Sequence, residues 1–410
     1  MKERSTLQPF APGDVFVGST VLGGGNDDHA GRGRILQYDS QLRKKGTLWL
    51  SHTTHLVGGL RFDRGGSLWA FDSQAFVVLT VGRDGDVQRR DFGTRPFSNV
   101  TFCADGSLYL AEHVTGNGIK MEIQARMGTR LQRMPGTDRL GDGHVWHFRS
   151  DGTLLRELNT QVHGGIGGFM GVTMSALSPD ETTLVYCSET GTRLMRYDLE
   201  SARQLPDLQC LPEGEREMFF SMDYGPQGRL YVSRGTRVDL VSPEGRTMCC
   251  YPLDGHGWAT LKAAADGRHL YIGNYFTGEL VKLELESGEQ VAVADTGVPK
   301  SLAGIAEYVG ERNGKEQAAV RRKPDAGKRA SHVAAAKRSR SRGEGSARKN
   351  TGRGAMGHRA GVLRGRSITV SPRAKRRGSE ETKKQTRSGK RAPSIGRTGA
   401  KGARRRAKPK

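Results

Sequence analysis

The sequence predicts an all-β fold, a six-bladed β-propeller in which strands from both ends of the folded part share one blade. Two observations predict it. An apolar strand, a tight polar turn and a second strand rich in Leu, Tyr, Val and Trp recur together at 59–69, 100–109, 175–186, 223–231 and 261–271. Each copy is followed by two more strand-like runs, such as 76–81 and 87–92. Four strands per repeat, at a spacing of about forty residues, is propeller geometry.

Taken in order, the turns inside the phrase carry Gly or Asp, as in Asp105-Gly106 and Asp266-Gly267. Tight reversals need the positive or bridge-region backbone angles that these residues tolerate. Complete four-strand sets are expected over 57–92, 97–159, 168–208, 217–253 and 257–295. The ends supply the sixth: 301–309 reads as an innermost strand without partners, and 14–21, 33–39 and 47–51 read as three strands without a first. Joining them removes the exposed edges that a linear array would leave. No Trp-Asp dipeptide closes a blade, which argues against a WD40 repeat.

Charge divides the chain. The whole carries a formal +22, yet from Glu311 onward 33 Lys plus Arg face 6 Asp plus Glu, a net of +27, leaving −5 on residues 1–310. The basic segment contains no Phe, Trp or Tyr, so it cannot bury enough apolar surface to offset chain entropy. The expected organisation is a propeller over 1–310 and a disordered tail over 311–410. Five cysteines without C-x-x-C spacing argue against a zinc or disulfide framework and suit a reducing compartment. With no signal-like or membrane-length apolar run, the expected location is cytoplasmic, on the nucleoid of a bacterium or in the nucleus of a eukaryote.

The run Ser178-Pro-Asp-Glu-Thr-Thr-Leu-Val-Tyr-Cys-Ser-Glu-Thr-Gly-Thr-Arg-Leu-Met-Arg-Tyr-Asp-Leu199 resembles a blade of the SMP-30/gluconolactonase/LRE superfamily, and more loosely NHL and YVTN propellers. The resemblance covers the body and not the tail. It implies a divalent cation on the central axis, held by Glu, Asn and Asp on inner strands, with the Asp also a general base. Here the Asn-Gly position falls on Thr173-Met174 and the Asp-Gly position on Phe220-Ser221. Equivalent positions in other blades are Gly58, Ser98, Ala259 and about Ala303, so the channel lining is expected to be small or apolar. A hard cation needs several oxygen ligands, and this ring offers few. The inner-strand histidines that hold zinc in peptidylamidoglycolate lyase propellers are missing at the same positions. The resemblance thus implies the fold more strongly than the activity.

Candidate site residues lie in loops. His55, His163 and His256 precede the inner strands of alternate blades, so they either converge over the axis as zinc or copper ligands or are surface loop histidines. The loop 23–31 holds Asn26, Asp27, Asp28 and His29, which could ligate a cation or be simply solvated; their spacing is not that of an EF-hand. An insertion over about 115–142 breaks the repeat period with Lys120, Arg126, Arg130, Arg133 and Arg139 among Met121, Met127 and Met134. It suits a lid over the channel or an arm for a partner. No G-x-S-x-G elbow, P-loop or H-E-x-x-H occurs.

The tail's basic clusters include Arg321, Arg322 and Lys323, then Lys375, Arg376 and Arg377, then Arg404, Arg405 and Arg406, separated by Ala, Gly, Ser and Pro. That composition resembles linker-histone tails. It suits phosphate neutralisation and counterion release without base reading, and the missing aromatics exclude base stacking as a major term. The expected function is a non-catalytic binding module: the tail holds nucleic acid or another polyanion, the propeller face takes a protein or small ligand, and no cofactor is required. The alternative is a divergent metal-dependent lactonase or esterase, with a divalent ion held by Asp27, Asp28, His29, His55, His163 and His256.

Overall fold

A computed structural model describes residues 4–116, 128–163, 171–188, 191–212 and 217–310. The expected disordered tail, with all nine of its named basic residues, lies outside the described residues, as do Lys120, Met121, Arg126 and Met127 of the insertion. Among the described residues no helix is long and apolar enough to cross a membrane.

Six four-stranded antiparallel sheets form the ring. The first blade joins β1 (Val15–Leu22), β2 (Gly31–Tyr38) and β3 (Lys44–Trp49) to the last strand, β26 (Gly304–Glu307), which is innermost. Val17 pairs with Ile305 and Val15 with Glu307, so the two ends close the ring as the repeat phase predicts. The closing strand is shorter than the 301–309 expected: before it, Ser301 is buried with its Oγ 3.1 Å from Ser19 Oγ, and Leu302 lines the channel mouth. Blade two is β4 (Gly58–Phe62), β5 (Leu68–Asp72), β6 (Val77–Val81) and β7 (Val87–Arg90). Blade three is β8 (Phe97–Phe102), β9 (Leu108–Glu112), β12 (Val145–Phe148) and β13 (Leu154–Leu158). Its insertion begins and ends in a two-stranded ladder, β10 (Thr115–Gly116) with β11 (Gly141–Asp142).

The remaining blades keep chain order. They are β14 (Met174–Leu177) to β17 (Arg203–Cys210) by way of β15 (Thr183–Cys187) and β16 (Arg193–Asp198); β18 (Ser221–Tyr224) to β21 (Thr247–Pro252) by way of β19 (Leu230–Ser233) and β20 (Arg237–Val241); and β22 (Trp258–Ala263) to β25 (Gln290–Asp295) by way of β23 (His269–Asn274) and β24 (Glu279–Glu284).

The cores explain why strands alternate yet read as nearly continuous apolar runs. In β5 and β6 every residue is buried, because successive side chains serve different interfaces. Leu68 and Ala70 pack toward blade one with Ile35 and Leu48, whereas Trp69 and Phe71 pack toward blade three with Val100 and Phe148. The same division repeats around the ring and gives six clusters, one between each pair of neighbouring blades. The exposed large apolar side chains lie on the edge strands β13, β21 and β25 or, for Phe276, at the channel face.

Inner strands approach closely near the axis. Gly59 has φ +63°, and a Cβ there would lie 2.0 Å from the Ser98 carbonyl oxygen of the next blade. Deeper in the channel the Arg61 guanidinium of blade two reaches Asp223 of blade five, its opposite in the ring, at 3.0 Å. Lys262 of blade six meets the other Asp223 oxygen at 2.5 Å, and the Ala263 N–H donates to that same oxygen. Burial pushes the Asp223 carboxyl up, but Lys262 and Arg61 outweigh it and hold it below the usual carboxylate range. The ion pair therefore joins three blades across the axis.

Two outcomes are expected. Ile305→Ala in the closing strand should cost about 3 kcal/mol, the range for a buried Ile truncation, measured by urea unfolding. Asp223→Ala should cost about 3 kcal/mol by leaving two cations near the axis without their anion. Because the folded Asp223 carboxyl titrates below its unfolded value, the stability it supplies is complete at neutral pH and falls away from about pH 4 downward. The variant should accordingly lose less stability than the parent over that acid window.

Candidate functional site

A polar clip at the end of the second strand in blades two to six sets the channel mouth. In blade two it is Asp72, fully buried, whose Oδ2 accepts the backbone N–H groups of Thr54 and His55 at 2.7 and 2.9 Å. Its Oδ1 accepts those of Gln74 and Ala75. Glu112 does the same for Asp142 and Gly143, Ser188 donates to the Gly171 carbonyl, Ser233 to Trp258, and the Asn274 amide to His256. A buried polar group with every lone pair committed fixes the loop it holds. The signal was present in the repeat, since Asp72, Glu112, Ser188 and Asn274 each stand four residues after a second-strand Leu: Leu68, Leu108, Leu184 and Leu270.

The clips surround a cavity of about 400 Å3 at the channel mouth. Gly58, Ser98, Thr173, Phe220, Ala259 and Ala303, the six positions assigned from the repeat phase, all line it, one from each blade. Leu56, Phe71, Leu131, Met174, Phe276 and Leu302 extend the apolar wall. Its polar lining includes Asp28, His29, His55, Gln74, His113, Tyr275 and Lys300.

Four of the sequence-predicted loop residues come together there. His55 is buried, and its Nε2 lies 2.9 Å from Asp27 Oδ2 while its Nδ1 lies 2.8 Å from the Thr54 hydroxyl. The His29 backbone N–H donates to Asp27 Oδ1, and His29 Nδ1 lies 2.7 Å from Asp28 Oδ1. Burial pushes both carboxyls up, but hydrogen bonds outweigh it and leave them below their ordinary range. The His29 N–H and His55 do this for Asp27, and Thr129 and His29 for Asp28. Asp27, Asp28 and His29 can bring one ligand atom each within 4.8 Å of one another.

The other two histidines sit elsewhere. His256 is exposed with its ring against Phe276, and His163 is half-buried, its backbone N–H on Ser188 Oγ; neither lines the cavity. The reading of three imidazoles converging on the axis is corrected accordingly: their offsets from the inner strands differ, so only His55 is carried inward. Asn26 lines a neighbouring surface cleft with Asp27 and Arg130.

Two partners in this cluster were not anticipated. Thr129, from the insertion, donates to Asp28 Oδ1 at 2.8 Å and lies 2.7 Å from His29 Nδ1. Nearby, the Gln132 N–H donates to Gln74 Oε1, and Gly128, Thr129 and Leu131 line the cavity, so the described part of the insertion lies over its mouth. The Tyr275 hydroxyl, from blade six, lies 2.9 Å from His29 Nε2. The insertion itself is rooted by Arg95, which bridges Glu112 and Asp142 at 2.6 and 2.7 Å and covers the Trp146 ring.

No protein-family model matches the chain, and no curated protein sequence does. Among solved structures it is similar to a chain of a nidogen/laminin complex, at 12% identity and a TM-score of 0.51, over 73% of this chain and 100% of that one. It is also similar to a streptogramin B lyase, at 12% identity and a TM-score of 0.41, over 61% of this chain and 72% of that one. At this identity the first likeness establishes the propeller fold.

The clip can be tested directly. Asp72→Ala should leave four backbone donors without their acceptor, cost about 3 kcal/mol and shift the imidazole 15N resonances of His55. Those of His269, paired with Asp266 on the opposite face, should stay in place.

Proposed function

We propose that this protein is a ligand-binding propeller whose basic tail holds it on nucleic acid or another polyanion. The observation that carries the propeller half is the cavity: about 400 Å3, apolar over most of its wall, with the hydrogen-bonded cluster of Asp28, His29 and Tyr275 in that wall and the described part of the insertion bordering it. That combination suits a small molecule with an apolar body and one hydrogen-bonding end. The tail half rests on charge: a net of +27 beyond residue 310, attached to a body of net −5.

The metal-dependent hydrolase reading is less well supported by the residues present. The axial positions of Gly58, Phe220, Ala259 and Ala303 carry no oxygen-bearing side chain, and Ser98 and Thr173 carry only hydroxyls. A hard divalent cation takes about six to eight oxygens, roughly four to six more than two hydroxyls supply. In the loop cluster the ring nitrogens of His29 and the oxygens of Asp27 already hold hydrogen-bond partners.

Anisotropy of labelled duplex DNA should show the full chain binding with a steep loss of affinity as salt rises, and residues 1–310 not binding. Equal binding by both would refute the tail's role. Anilinonaphthalene sulfonate fluorescence should rise on adding either form, and Ala303→Trp, which fills the cavity, should abolish that rise.

A further inference from the structure

We propose that Tyr275, His29 and Asp28 make the cavity a catalytic site for acyl transfer, with Tyr275 as nucleophile, His29 as its base and Asp28 as the positioning residue. The inference rests on the ligand cavity proposed above and adds a reaction to it. Three separate elements supply the groups: loop 23–30 of the first blade carries Asp28 and His29, blade six carries Tyr275, and the insertion carries Thr129.

Hydrogen-bond chemistry fixes the direction of the relay. An ionised carboxylate only accepts, and Asp28 is held below the ordinary carboxylate range, so the His29 Nδ1 that lies 2.7 Å from it carries the proton. In the tautomer with that proton on Nδ1, Nε2 is the accepting nitrogen, and the group 2.9 Å from it is the Tyr275 hydroxyl, which then donates. Thr129 donates to the same Asp28 oxygen and so fixes the carboxylate from the other side. A nucleophile bonded to a base, and the base bonded to an orienting carboxylate, is the arrangement that activates a hydroxyl.

All three side chains line the cavity, alongside the apolar Leu56, Phe71 and Phe276, and Lys300 lines it near enough to Asp28 to help lower that carboxyl. The Lys300 ammonium is the nearby charge available to a developing oxyanion.

The step balances without a cofactor. The phenol proton passes to His29 Nε2 as the Tyr275 oxygen bonds to the acyl carbon, and the ester C–O bond breaks. The leaving oxygen takes the proton from His29. Water then gives a proton to His29 and attacks the acyl carbon, and the departing Tyr275 oxygen takes that proton back. Ester and water become acid and alcohol. Because a phenolate is a weaker base than an alkoxide, transfer to Tyr275 is favourable only from esters whose leaving oxygen has a pKa of about 10 or less. The substrate class is therefore aryl or enol esters with an apolar acyl group.

The test uses the full chain, p-nitrophenyl butyrate and ethyl butyrate, with EDTA present throughout. The expected result is turnover of the aryl ester alone, with a butyryl group recovered on the Tyr275 peptide after acid quench. Tyr275→Phe should abolish that adduct and lower kcat at least about a hundredfold at unchanged thermal stability. His29→Gln supplies the same test should the first variant fail to fold. Asp28→Asn should lower kcat with little change in KM, which a merely structural role would not produce. Full turnover by Tyr275→Phe, comparable hydrolysis of ethyl butyrate, dependence on a chelatable metal, or no aryl-ester turnover would each overturn the inference. Anilinonaphthalene sulfonate binding, measured on the same samples, separates the two readings: its retention leaves the cavity standing without the chemistry, and its loss removes both.

Discussion

Ring closure is the constraint on which the rest of this structure depends. Each blade is apolar on both faces, so no blade can be buried except between two others. The antiparallel pairing of Gly304–Glu307 with Val15–Gly18 supplies the last interface by joining residues nearly three hundred positions apart. Without it, the faces carrying Phe16 and Ile35 on one side and Val17 and Leu36 on the other would meet water, together with a row of unpaired backbone groups. Stability is therefore shared around the ring rather than held in any one blade.

Closure also makes the axis usable. Six inner strands converge there, and small residues such as Gly58, Gly59 and Ala303 let their backbones approach. Where they converge deepest, Arg61, Asp223 and Lys262 bind opposite and neighbouring blades by charge. Above that level the space is left open and becomes the cavity. The clips built from Asp72, Glu112, Ser188, Ser233 and Asn274 then hold the surrounding loops, so side chains on irregular backbone gain a defined position. His55 shows the chain of causes: Asp72 fixes its backbone, Thr54 and Asp27 fix its ring, and Asp27 in turn fixes the His29 backbone.

The sequence determined a good deal on its own. Period-two alternation and Gly or Asp turns set the strands, and four strands per repeat set the blades. The orphan first strand near one end of the folded part and the three partners near the other set the closure. It also identified the six channel-lining positions, because a residue at a constant phase of a repeat occupies a constant place in a ring. Asp27, Asp28, His29 and His55 were visible as chemistry-bearing residues in loops of the channel face.

Which of those residues meet was decided only by the tertiary structure. Thr129 lies 100 residues from His29 and Tyr275 lies 246 residues from it, and neither stands in a motif that marks it. Their contact follows from the angular order of blades one, three and six, and from the path of an insertion that obeys no repeat. His163 and His256 looked equivalent to His55 by position, yet loops before inner strands differ in length by a residue or more. One residue is enough to turn a side chain away from the axis. Repetition fixes where backbone goes, since every blade solves the same burial problem; loops are free of that problem, so the placement of their side chains is settled by contacts made only once the ring has closed.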